Sequence, residues 1–93
     1  MNHSEFIVKF QWALNIYCEF HLNTFFHGFY LFNDSSVMFY FGENFAHKRI
    51  TIAHINMVLN HPNTIGRVRK NELEIIKWWN DECVNRDNGI SIK

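Results

Sequence analysis

The chain has 93 residues, nine basic and nine acidic side chains, 47% hydrophobic residues and 17% aromatic residues. That hydrophobic content excludes intrinsic disorder, and the length confines the chain to one domain, residues 1–93. Zero formal charge and a pI near 7.0 remove the overall basic field on which most nucleic-acid binders rely, and also the charge that keeps a protein from self-associating.

The first ten residues, MNHSEFIVKF, lack the basic, apolar and small-residue regions of a secretory signal. No apolar run approaches the ~18 residues of a membrane span. A cytoplasmic location is therefore expected, in the host cell if the gene is phage-borne. Ser4 is placed to cap a first helix with Glu5 in its opening turn, and this helix is expected to run to about His21. Phe6, Phe10, Ala13, Tyr17 and Phe20 recur at helical spacing, and Ile7, Leu14 and Cys18 widen the stripe. Glu5, Gln11, Asn15 and Glu19 fall mostly on the remaining arc.

Phe25 to Gly42, FFHGFYLFNDSSVMFYFG, is expected to be a β-hairpin around which the rest is organised. Asn33 to Ser36 supply the turn. A four-residue loop would pair Phe32 with Val37, Tyr30 with Phe39 and Gly28 with Phe41 on one face, and Leu31 with Met38 and Phe29 with Tyr40 on the other. Both faces would then be apolar, so the second needs a cover, either from this chain or from another.

A short third strand is expected near 48–50. Thr51 then caps a second helix, Ile52 to Asn60, which His61-Pro62-Asn63 ends. Thr64-Ile65-Gly66 leads into a third helix from about Asn71 to about Arg86. Asp87-Asn88-Gly89 is a stop signal, and Ile90 to Lys93 form a tail able to fray or add a strand. The expected fold is α+β in the order α-β-β-α-α, with helices packed on one face of an antiparallel hairpin sheet.

No catalytic, cofactor or nucleic-acid signature of useful specificity occurs. Cys18, His21, His54 and His61 have loose metal-ligand spacing, but lone Cys and His are more often structural, so no metal or cofactor is expected. Cys18 and Cys83 are expected to be free buried thiols. Arg67, Arg69 and Lys70 form the one basic cluster of note, within a segment, 52–77, that loosely suggests a helix-turn-helix. Glu72 and Glu74 follow at once, which favours a solvated helix entry over DNA contact.

The hairpin itself contains no Lys or Arg to accompany its aromatics, unlike a base-stacking platform. The expected function is therefore a non-enzymatic protein-binding module that blocks or bridges a partner, or pairs with a second copy as a homodimer. Phe29, Leu31, Met38 and Tyr40 are its expected contact residues, with Trp78 as a second anchor. Usage rich in Asn, Ile and Phe matches AT-rich codons, as in many phages and mobile elements. An anti-CRISPR or other inhibitor of host defence, or an immunity protein, fits that profile, and a small DNA-binding regulator using segment 52–77 is the alternative.

Overall fold

A computed structural model describes residues 3–84. The stop signal at Asp87-Asn88-Gly89, the expected helix end at Arg86 and the tail Ile90 to Lys93 lie outside the described residues. Helix α1 spans His3–Tyr17 and continues as a π-helical segment, Cys18–Leu22. Strands β1 (Phe26–Leu31), β2 (Ser36–Phe41) and β3 (Ala46–Thr51) follow, then helices α2 (Ile52–Leu59), α3 (Pro62–Ile65) and α4 (Lys70–Trp78), which continues as a π-helical segment, Trp79–Val84. The chain is a small α+β domain with helices packed on a three-stranded antiparallel sheet of order β1-β2-β3. The third strand, expected near 48–50, is six residues long and as well paired as the second.

Local chemistry explains the boundaries. Asn23 ends the π-helical segment at φ 56°, a left-handed conformation that Asn tolerates, and its N–H donates to the Cys18 carbonyl. The Thr51 hydroxyl accepts the His54 N–H at 3.1 Å and caps α2, as its position predicts. Glu72 reaches back to accept the Arg69 backbone N–H at 2.8 Å and fixes the start of α4.

The hairpin register differs from expectation by one residue, and the turn is the reason. Phe32 N–H donates to the Ser36 carbonyl at 2.9 Å, so the loop is Asn33 to Ser35, with Ser35 at φ 64°. This is the three-residue loop that ends in a left-handed residue. Glycine would have advertised it; serine does not. Phe29 consequently faces Phe39 and Leu31 faces Val37, while Tyr30 faces Met38 and Gly28 faces Tyr40. A bulge at His27 then shifts the pairing so that Phe26 opposes Phe41. Ser35→Gly is expected to stabilise the domain by about 0.5–1 kcal/mol, because a left-handed L-residue is strained where glycine is not. A urea midpoint at or below that of the parent would count against this turn.

The hairpin is not the organising element; α1 is. Phe10, Ala13, Leu14 and Tyr17 are fully buried and Ile16 nearly so. Phe10 packs on Phe29 of the sheet, with ring centroids 4.9 Å apart, and on Trp79 at 5.6 Å. Tyr17 meets Phe39 edge-on at 5.5 Å. Helix α1 thus holds the inner sheet face to the segment after α4, and Tyr17 also touches His54 of α2. Phe29, Leu31 and Phe41 are half-buried against this core, and Val37 and Phe39 are fully buried in it. A polar chain ties α2 to the segment after α4: the Trp79 indole N–H donates to Asn56 Oδ1 at 3.0 Å, and Asn60 exchanges two 2.9 Å hydrogen bonds with Asn80.

Candidate functional site

Strand alternation places Tyr30, Met38, Tyr40, His47 and Arg49 on the outer sheet face, in register across three strands. No described helix packs on that face. Tyr30 is 60% exposed, and its ring meets Phe32 at 4.8 Å. Tyr40 approaches His47 at 5.9 Å.

One end of the face is fixed by a polar cluster. Asp34 Oδ1 accepts from the Ser36 N–H at 3.1 Å and from its hydroxyl at 2.6 Å, and Arg49 reaches Ser36 Oγ at 2.9 Å and Asp34 Oδ2 at 3.1 Å. The Arg49 guanidinium lies 3.8 Å from the Phe32 ring centroid. The Ser36 hydrogen bonds hold the Asp34 carboxyl below its ordinary value, with Arg49 adding to the effect. Arg49 is therefore committed within the protein, and Lys48 opposes Phe39 on the other sheet face. His47 is the remaining basic side chain of the outer face.

Of the five expected contact residues, Met38 and Tyr40 lie on this open face. Phe29 and Leu31 turn inward through the one-residue register difference. Trp78 is 7% exposed, packed edge-on against Phe6. The exposed tryptophan is instead Trp12 of α1, at 54%, one turn from the exposed Val8. Both interrupt the arc that carries Gln11 and Asn15, and an apolar i,i+4 pair on a polar arc was the readable signal for them.

Trp12 separates two clefts. One, of about 360 Å³, lies against Phe26; the other, of about 420 Å³, runs between α1 and α4. At the far end of the larger cleft, Arg69 bridges Glu72 at 3.0 Å and Glu19 at 3.7 Å. Burial and the neighbouring Glu72 push the Glu19 carboxyl above its ordinary value.

The basic cluster does not lie on one continuous helix. Helix α3 is a single turn, Pro62–Ile65, so the second helix expected within 52–77 is broken before α4 begins. Arg69 is held by two carboxylates, Arg67 lies 5.1 Å from the Phe20 ring centroid, and Lys70 starts α4.

The residues weighed as metal ligands are partly assembled. His21 and His54 meet with ring centroids 5.4 Å apart, and His61 lines a cleft with His21. Cys18 is fully buried, and the His61 ring accepts the Asn63 N–H and caps α3. Among the described residues no group of three or more His, Cys, Asp or Glu side chains is placed to hold a metal ion. Cys18 and Cys83 are free and buried.

Burial first, then the charges of His54 and Lys48, hold His21 below the usual histidine value. The folded state thus favours the neutral ring, and the unfolded chain binds more protons below about pH 6.5. The stability His21 contributes is present above that pH and lost as pH falls through its depressed folded value. The thermal midpoint of the parent is expected to fall between pH 7 and pH 5 relative to that of His21→Gln. Parallel pH profiles would remove this coupling.

No protein family, curated protein or solved structure matches this chain. Among the described residues no helix is long and apolar enough to cross a membrane. The class the structure defines is a small α+β domain with one open aromatic sheet face.

Proposed function

We propose that this protein is a non-enzymatic binding module that engages a protein partner through the outer face of its sheet. The observation that carries this reading is the outer-face row Tyr30, Met38 and Tyr40, in which Tyr30 is 60% exposed beside Phe32 and Met38 and Tyr40 are half-buried. Aromatic residues and Met are the types enriched in interface cores, and a rigid sheet presents them at little entropic cost. The committed Arg49 and the neutral overall charge favour protein over single-stranded nucleic acid, which needs free cations along its backbone path.

The partner is a second copy of the chain or a foreign protein. A foreign partner within a host defence complex, blocked in the cytoplasm by a phage or mobile-element inhibitor, is the biological setting that size and residue usage favour; an immunity protein would use the same face.

The double variant Tyr30→Ser/Tyr40→Ser tests the reading. Both side chains leave the core untouched, so the thermal midpoint should stay within a few degrees of the parent. Association, read by native mass spectrometry and by capture on the immobilised protein, should weaken about a hundredfold, as expected for two interface aromatics. Undiminished association would place the interface elsewhere. Binding of single-stranded DNA that the same variant abolishes would turn the face into a nucleic-acid platform and overturn the proposal.

A further inference from the structure

We propose that the cleft between α1 and α4 is a second, independent site that binds a zwitterion with an apolar body, such as an aromatic α-amino acid. The cleft encloses about 420 Å³, within the size range of small-molecule sites. Trp12 and Ile16 from α1 and Ile75 and Trp78 from α4 form its apolar walls. Trp12 is 54% exposed, while Ile16 and Trp78 are 1% and 7% exposed, which gives the cleft a buried floor and one exposed aromatic lip.

The charges of the cleft select the ligand. Lys9, Arg69, Glu72 and Glu74 all line it. Arg69 and Glu72 neutralise each other at 3.0 Å, so they ask nothing of a ligand. Lys9 on α1 and Glu74 on α4 have no ion-pair partner among the described residues. One unpaired cation and one unpaired anion on opposite walls match one carboxylate and one ammonium group. The Trp78 indole N–H is buried without an acceptor among the described residues, and Trp78 lines this cleft, so it is a second candidate donor to a carboxylate. Asn15 and Asn71 supply amides at the same cleft. Glu74 is exposed and Lys9 half-buried, and each gains a charge-assisted contact only from a ligand group of opposite sign, so a ligand carrying both charges fits best.

The probes are L-phenylalanine, 3-phenylpropanoate, which lacks the ammonium group, and phenethylamine, which lacks the carboxylate. Titration is followed by isothermal calorimetry and by amide shifts of α1 and α4. L-Phenylalanine is expected to bind with a dissociation constant of about 0.1–1 mM, reasonable for a ligand of about a dozen heavy atoms, and each singly charged probe at least tenfold more weakly. Lys9→Gln should weaken L-phenylalanine and 3-phenylpropanoate and spare phenethylamine; Glu74→Gln should weaken L-phenylalanine and phenethylamine and spare 3-phenylpropanoate. Trp12→Ala should weaken all three.

Absence of binding up to about 10 mM, equal affinity for the three probes, or charge variants that behave like the parent would each overturn the proposal. All three variants alter side chains outside the buried core, and retention of the parental thermal midpoint checks their fold. Tyr30→Ser/Tyr40→Ser should leave these titrations unchanged, which keeps this site separable from the sheet-face reading.

Discussion

Trp79→Ala is expected to destabilise the domain by about 3–5 kcal/mol in urea denaturation, a large share of the roughly 5–15 kcal/mol that holds a domain together. Trp79 is fully buried and packs against Phe10, with ring centroids 5.6 Å apart and planes tilted by 33°. Its indole N–H donates to Asn56 Oδ1 at 3.0 Å, so removal opens a cavity at the α1 contact and strips a partner from the α2 side together. Trp79→Phe, which keeps most of the ring packing and loses the hydrogen bond, should cost about 1–2 kcal/mol. The difference between the two variants separates packing from hydrogen bonding. A loss below about 1 kcal/mol for the alanine variant would mean that the segment after α4 does not close the core.

The second large effect is kinetic protection of the two thiols. Cys18 and Cys83 are each fully buried, and burial pushes both thiols up to about 12, with Glu82 adding to the effect at Cys83. Thiolate is the reactive species, so at pH 8 iodoacetamide should label each cysteine roughly a thousandfold more slowly in the folded protein than in urea. Labelling then reports opening of the structure. Trp79→Ala should accelerate modification of Cys83 more than that of Cys18, because Cys83 shares the segment that Trp79 anchors. Mass spectrometry of partially labelled protein gives the two rates directly; labelling at free-thiol rates would place the cysteines at the surface.

The elements were legible where hydrophobic period and capping chemistry agreed. The α1 stripe at Phe6, Phe10, Ala13 and Tyr17, and the Thr51 cap of α2, are where their residue types put them. The short β3 was foreshadowed only near 48–50, because Ala46-His47-Lys48-Arg49 has no apolar alternation and owes its strand conformation to pairing with β2. Sheet facing was not legible. It depends on a single loop residue, and Ser35 in a left-handed conformation carries no sequence signature comparable to glycine. The same error reversed Phe29 and Leu31 while leaving Met38 and Tyr40 on the open face.

Trp78 and Trp79 show the reverse limit. Adjacent helical positions point about 100° apart, which made Trp78 a candidate anchor, yet both are buried, and the two contact different α1 residues, Phe6 and Phe10. The charges were legible as residue types but not as partners. Arg69, one of the basic cluster at the helix entry, is clasped by Glu72 and Glu19, while Lys9 and Glu74 have no ion-pair partner among the described residues across the α1–α4 cleft.

Hydroxyl-radical footprinting of the protein, free and associated with its captured partner or second copy, reads the open sheet face residue by residue. Protection of Tyr30, Met38 and Tyr40 on association, with Trp12 and Val8 unchanged, is the expected result. Protection of Trp12 and Val8 with Tyr30 still oxidised at its free rate would move the interface to α1 and contradict a sheet-face binding module.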